Sequence, residues 1–271
     1  MMFCLKSTGV SCRGGCCPSM AGDNEELSLV TSKEIDIAQL KAIPHKVRFL
    51  EIRCGGIANL QKLAQFKNLY SLSITTGENI LIEQWCQLLS EMPNLKLLRL
   101  WCPKMVKMER NKSLSKYDLP SLTSLDLKCQ QSDCIDEFLK TLASKGTLTS
   151  FRHRMRKDCL SESTVWSILT LSPNLIKLSL IGNYSGLICD SLLLWLSEHR
   201  PYFVFLEIEN AELTVGGLET AINCRNKLNI STVLTVSSFN LAQPLSAEQM
   251  LQLSFAKIEL RQNPLDSSQR G

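Results

Sequence analysis

Apolar residues along the chain fall into a short motif that recurs at nearly constant distance. It first reads Val47, Leu50, Ile52, and returns as Leu69, Leu72, Ile74, then Leu95, Leu98, Leu100, then Leu122, Leu125, Leu127. A degenerate copy, Leu148, Phe151, His153, is followed by Leu175, Leu178, Leu180 and by Phe203, Leu206, Ile208. Successive first positions lie 22, 26, 27, 26, 27 and 28 residues apart. The second and third apolar positions of each copy flank one outward residue, the period of a strand with a single buried face. The pattern therefore predicts a strand at each copy.

Between the strands the period changes to that of a helix. Ile82, Trp85, Leu88, Leu89 and Met92 share one helical face, as do Ile135, Phe138, Leu139 and Leu142, with Gly146 at the expected helix end. The same reading applies to Val165, Ile168 and Leu169, to Ile188, Leu192, Trp195 and Leu196, and to Leu218, Ala221 and Ile222. Pro93, Pro173 and Pro201 each stand just before the next strand, where a helix cannot continue. Met105–Pro120 is charged and poorly amphipathic, and predicts a loop or a frayed helix.

A repeat array must cover its open ends. Lys33–Leu40, with Ile35, Ile37 and Leu40 apolar, predicts a short helix or strand in that role. Past Cys224 the motif blurs: Ile230–Val236 is β-prone, Ser246–Leu253 reads as a helix, and Phe255, Ile258 and Leu260 repeat the strand spacing once more. The expected organisation is a disordered Cys-containing leader over 1–32 and one repeat domain over 33–260. Within that domain the core repeats span 47–225, between capping segments at 33–46 and 226–260, and a polar tail follows at 261–271.

The most regular copy, Asn174–Asn183, carries Leu175, Leu178 and Leu180 in the order L-x-x-L-x-L, with Asn183 three positions later. This resembles the leucine-rich-repeat superfamily. The units resemble its longer-repeat branch, which includes ribonuclease-inhibitor-like proteins and the repeat domains of F-box proteins and nucleotide-binding immune receptors. The resemblance covers roughly Val47 to Ile222. It implies an α/β leucine-rich-repeat solenoid, with a curved parallel sheet on the concave side and a true helix per unit on the convex side. The family places Asn or Cys three residues after the last strand leucine. Here only Asn183 matches; Gly55, Gly77, Pro103, Gln130 and Ala211 occupy the other positions, with Cys54, Cys102, Cys129 and Asn210 one residue early. The strands are well specified and the turns irregular.

Composition narrows the class. Apolar content of 44% and charged content of 21% over 271 residues describe a soluble globular chain. The longest leucine-rich cluster, Leu192–Leu196, is far too short to cross a bilayer. The first twenty residues hold Lys6 and Arg13 but no apolar core, which argues against a secretory signal. The first acidic residue is Asp23, so a weak organellar transit reading stays open, and composition shifts at Met20, a candidate start. The 12 cysteines, mostly scattered singly through leucine-rich segments, are read as reduced and buried. A cytoplasmic or nuclear location follows, in which the sequons at Asn111, Asn183 and Asn229 carry no meaning.

No nucleophile elbow, phosphate loop or zinc-protease motif is present, and His45, His153 and His199 lie in separate units beside basic residues. Cys4, Cys12, Cys16 and Cys17 fit zinc spacing poorly. No catalytic residue, metal or cofactor is expected, and the chain is not read as an enzyme.

What remains is surface recognition. Strand alternation turns two rows outward: Glu51, Ser73, Arg99, Asp126, Arg152, Ser179, Glu207, and Arg53, Thr75, Trp101, Lys128, Arg154, Ile181, Glu209. The middle is basic with one aromatic, and Arg152, His153, Arg154, Arg156 and Lys157 concentrate charge in the degenerate copy. Arg53, Arg99, Trp101, Lys128, Arg152 and Arg154 form the expected partner-binding set, since Trp and Arg dominate binding hot spots. The expected function is a monomeric, non-catalytic scaffold for another protein, acidic or phosphorylated. Resemblance to F-box repeat domains adds substrate recognition in a ubiquitin ligase or signalling complex, although the residues ahead of Val47 show no F-box helices. The alternative is nucleic-acid binding by the basic central strands. A net charge of +4 does not demand it, and Asp126, Glu207 and Glu209 oppose it.

Overall fold

Each copy of the motif forms a strand whose apolar positions point inward. The structure is a computed structural model describing residues 3–4, 26–39, 44–107, 113–132, 134–155, 160–182, 184, 189–200, 202–209 and 231–235. Contacts group the chain into two units, Met1–Leu148 and Thr149–Gly271.

The first unit holds β1 (Phe3–Cys4), β2 (Glu26–Val30), β3 (Glu34–Asp36), β4 (Phe49–Cys54), β5 (Gly56–Ala58), β6 (Ser71–Thr76) and β7 (Ile80–Leu81). Helix α1 (Ile82–Ser90), β8 (Leu97–Val106), β9 (Ser124–Ser132) and α2 (Ile135–Ala143) complete it. The sheet runs β1-β2-β4-β6-β8-β9, with β7 also on β8, while β3 and β5 pair separately. All these pairings are parallel except that of β1 with β2.

Register stacks like on like. Leu50, Leu72, Leu98 and Leu125 align, as do Ile52, Ile74, Leu100 and Leu127. None of these eight exceeds 2% exposure. Burying each such side chain contributes roughly 1.5–3 kcal/mol, and each stands beside its counterparts in the adjoining strands.

The register begins earlier than the expected leader boundary at residue 33. Strand β2 pairs Leu27 with Leu50 and Leu29 with Ile52, and both residues are buried. Phe3 and Cys4 of β1 add an antiparallel edge against Leu29 and Ser28. Leu27 and Leu29 supply the second and third apolar positions of a further copy whose first position is Asn24, which hides it from a three-position search. The stretch expected to cap the array is both strand and helix: β3 followed by a 3-10 turn over Ile37–Gln39.

Not every connection is an α-helix. Between β4 and β6, across the shortest repeat interval, a 3-10 segment over Leu60–Gln65 buries Leu63 and Ala64. Between β8 and β9, the charged stretch extends β8 to Val106 and keeps one 3-10 turn, Leu114–Lys116. That turn is tied down from α2: Glu137 accepts from Lys107 Nζ at 2.6 Å and from the Leu114 amide at 2.6 Å. Burial opposes ionisation of Glu137, but these donors outweigh it and hold its carboxyl below the usual range.

Helices α1 and α2 bury the faces their period predicts, Ile82, Trp85, Leu88 and Leu89 in one and Ile135, Phe138, Leu139 and Leu142 in the other. Asp136 and Glu137 suit the N-terminal end of α2 electrostatically, and Gly146 takes φ 68° just past its end. After the strands, Gly55 and Gly77 let backbones stack directly. A Cβ at Gly55 would sit 2.5 Å from the Ser32 carbonyl oxygen, and one at Gly77 would sit 2.9 Å from that of Gly55.

The second unit contains β10 (Ser150–Met155), α3 (Glu162–Leu171), β11 (Lys177–Ile181), α4 (Cys189–His199), β12 (Phe205–Glu209) and β13 (Ser231–Thr235). Its strands run in the order β10-β11-β12-β13, all parallel. Ser161 caps α3 by accepting from the Thr164 amide at 3.2 Å. Strand β13 falls inside the β-prone Ile230–Val236 and sets Thr232 against Leu206 and Leu234 against Ile208. Helix α4 differs from expectation: Leu192, Leu193 and Leu196 are buried, whereas Trp195 lies at the border, edge-on to Trp166 at 5.8 Å. Asn183, Ile188, Pro201, the segments around Leu218, Ser246–Leu253 and Phe255–Leu260, and the tail lie outside the described residues.

Two substitutions test this packing. Leu27→Ala is expected to lower the unfolding free energy by about 2–4 kcal/mol in urea titration, whereas a loose leader would leave it unchanged. Gly55→Ala is expected to cost about 1–3 kcal/mol by forcing the stacked turns apart, read as a lower urea midpoint at unchanged slope.

Candidate protein-binding face

Parallel register decides what the outward side chains meet, because each sits beside its counterpart in the next repeat. On β8 and β9, Arg99 lies opposite Asp126 and Trp101 opposite Lys128. Arg99 Nε approaches Asp126 Oδ2 to 3.4 Å, with 53% of the arginine side chain exposed. Lys128 Nζ stands 4.9 Å from the centroid of the half-buried Trp101 ring, within cation–π range. Arg99, Trp101 and Lys128 thus form one cluster on neighbouring strands.

Arg53 is further away, on β4, with β6 between it and β8. It folds back on its own strand and donates twice to Glu51 Oε1, at 2.9 and 2.7 Å. Ser28 Oγ donates to the other carboxylate oxygen at 3.2 Å. The pair is exposed and adds little stability, but it cancels the charge at that end of the row.

Arg152 and Arg154 belong to β10 in the second unit, both half-buried. Arg152 Nε donates to Ser179 Oγ at 3.3 Å, and Nη2 reaches Glu207 Oε2 at 3.4 Å. Ser179 also donates to Glu207 Oε2. The chain Arg152–Ser179–Glu207 spans three in-register strands and balances the arginine's charge internally.

His153 does not join the basic cluster. It occupies the third apolar position of its copy, points inward and is fully buried. Its Nδ1 lies 2.6 Å from Tyr184 Oη, and its ring stacks on Phe151 at 6.3 Å between centroids. Burial pulls its pKa down from 6.5 to about 3, so it is neutral at physiological pH. Arg156 and Lys157 lie outside the described residues.

Cys54, Cys86, Cys102, Cys129 and Cys134 are buried. Desolvation lifts the Cys54 thiol to about 11 and the Cys86 thiol to about 12, while a side-chain hydrogen bond with Cys129 and burial push Cys102 upward as well. Such thiols are poor nucleophiles. Among the described residues no group of three His, Cys, Asp or Glu side chains could hold a metal ion, and no helix is long and apolar enough to cross a membrane.

Residues flanking the first apolar position escaped the sequence reading. Asn68 Nδ2 donates to the His45 carbonyl at 2.9 Å, Asn94 Nδ2 to that of Lys67 at 3.0 Å, and Thr147 Oγ1 to that of Leu122 at 2.7 Å. Each polar residue precedes a first-position leucine and ties one turn to the turn before it. Lys46, Arg48 and Lys96, beside them, line a depression in the first unit. The signal was the recurrence of polar residues on both sides of Val47, Leu69 and Leu95.

No protein-family model matches the chain, and no curated protein matches it. Among solved structures it is similar to the crystal structure of an internalin from Listeria monocytogenes, at 17% identity and a TM-score of 0.46. The likeness covers 89% of this chain and 59% of the internalin chain.

The buried histidine yields a pH test. Its folded pKa lies below the unfolded one, so its contribution is whole above pH 6.5 and is lost as pH falls toward 3. Stability is expected to fall by about 1.4 kcal/mol per pH unit on that account. Urea unfolding of the wild type and of His153→Leu between those limits isolates the effect, since the variant lacks this slope.

Proposed function

We propose that the chain is a non-catalytic leucine-rich-repeat scaffold that binds another protein through the outer face of strands β6, β8 and β9. The observation that carries this reading is the Arg99–Trp101–Lys128 cluster. An incompletely buried Trp, flanked by two exposed cations on a regular sheet, combines the residue types that anchor protein interfaces. Ser73 and Thr75 on β6 continue the same surface with short side chains. Thiols held protonated and a buried neutral histidine favour a scaffold over a reaction centre.

The partner best suited to this face offers an apolar or aromatic anchor with acidic residues around it. Substrate recognition in a ubiquitin ligase or signalling complex is one setting for such a scaffold, and it predicts copurifying ligase adaptor subunits. Nucleic acid is the second reading. The pairs Arg99–Asp126 and Arg152–Glu207 count against it, because a carboxylate beside each cation repels the phosphates it would have to meet.

Trp101→Ala combined with Lys128→Glu is expected to weaken partner capture about thirtyfold or more, the loss of one hot spot, at an unchanged thermal transition. Affinity capture from cell extract with wild type and variant, with and without nuclease, checks it by mass spectrometry. Proteins held equally by both forms would remove this face as the site, and nuclease-sensitive capture would favour nucleic acid.

A further inference from the structure

The charged start of the connection between β8 and β9 is held in place by polar ties to Glu137 of α2. Among the described residues three donors reach that carboxylate. Lys107 Nζ and the Leu114 amide each donate at 2.6 Å, and the Ser113 side chain supplies a third hydrogen bond. The Lys107 side chain is 14% exposed, so this pair is screened less than one in open solvent. The tie matters because it seats Leu114, which is fully buried on a turn of three residues.

Ser113 is the vulnerable member of this latch. An ionised carboxylate can only accept, so the Ser113 hydroxyl gives its one proton to Glu137. Its oxygen accepts in turn from the Ser115 amide at 3.2 Å and lies 2.8 Å from Ser115 Oγ. The residue is exposed, and its backbone is extended at φ −70° and ψ 140°. In the sequence Arg110 and Lys112 stand three and one residues ahead of it, and Lys116 follows three later. An exposed hydroxyl on extended backbone suits the groove of a protein kinase. Basic residues ahead of the acceptor suit a kinase whose groove is acidic, since charge pattern decides such pairings.

Phosphorylation would invert what Ser113 does for Glu137. The γ-phosphoryl group of ATP passes to Ser113 Oγ: a new O–P bond forms and the bond from the γ-phosphorus to its bridging oxygen breaks. ADP leaves, and the hydroxyl proton goes to the base of the kinase. That proton is the one Glu137 had accepted. In its place stands a group of about −1.5 to −2 charges at neutral pH, which repels the carboxylate and competes with it for Lys107. We propose that Ser113 is a phosphorylation site for a basic-directed Ser/Thr protein kinase, and that phosphate there releases the Leu114 turn from α2. The inference is independent of the Trp101 face, none of whose residues it uses.

The test incubates the full chain with MgATP and the catalytic subunit of cyclic-AMP-dependent protein kinase, a basic-directed enzyme, and maps the product by mass spectrometry. One phosphate on Ser113 is expected, and none there in Ser113→Ala. Amide hydrogen exchange then reads the latch. Exchange in the peptide containing Leu114 is expected to rise about tenfold or more on phosphorylation, as charge-assisted bonds to Glu137 are lost. Ser113→Ala is expected to raise it far less, which separates loss of the hydroxyl from gain of charge. Glu137→Gln keeps an acceptor for the Leu114 amide but removes the charge, so phosphorylating that variant is expected to add about threefold at most. An equal rise in both backgrounds overturns the release mechanism, as does unchanged exchange in the phosphorylated wild type. Phosphate on other residues but not on Ser113 overturns the site. So does an unmodified chain under conditions where a free peptide of residues 107–118 is phosphorylated, and a peptide that the kinase ignores overturns the basic-directed recognition.

Discussion

The in-register stacking of apolar columns is the constraint on which everything else depends. A single copy of the motif cannot bury Leu98 or Leu100; the neighbouring Leu72 and Ile74 on one side, and Leu125 and Leu127 on the other, complete their surroundings. Because the columns carry the cohesion, the connections between strands are free to vary. An α-helix, a six-residue 3-10 segment and a short 3-10 turn serve in different connections, provided each drops apolar residues such as Leu63, Leu88 or Leu114 onto the inner face. The same logic explains β2, which covers Leu50 and Ile52 on the side where the first full copy would otherwise end.

Stacking also dictates how the turns are satisfied. Backbone groups leaving one strand must find partners in the next turn or in a side chain. Near the strand ends this chain brings the backbones themselves together, with the Gly77 amide donating to the Cys54 and Gly55 carbonyls at 3.2 and 3.1 Å. Ahead of the strands it uses Asn68, Asn94 and Thr147 instead. The side chain-to-backbone ladder thus lies ahead of the strands, and backbone-to-backbone contact lies after them. Gly55 and Gly77 are therefore part of a working turn, in which close backbone approach leaves no room for a Cβ.

How much of this was legible follows from which signals survive in a single copy of the motif. The strands were legible because three apolar positions at fixed spacing recur, and the helices because their faces follow the 3.6 period. Strand β2 was not, since Asn24 stands where the first apolar residue should be, and Trp195 was misplaced because period alone cannot show that Trp166 shelters it at the surface. For the candidate site, alternation correctly turned Arg99, Lys128 and Arg53 outward and left Trp101 partly accessible. It also implied that His153, as a third-position residue, faces in, although its basic neighbours drew it into the charge count. Cross-strand partners such as Arg99 and Asp126 could be found by stacking the copies. Side-chain conformations could not: Lys128 reaching over Trp101 and Arg152 passing Ser179 to meet Glu207 require coordinates.

Charge compensation governs the outward sheet face of the first unit. On the sheet face, Arg53 meets Glu51, Arg99 meets Asp126, and Lys128 meets an aromatic ring. Bringing a partner there means breaking or sharing pairs already formed, so most of the gain must come from covering Trp101 and excluding water around it.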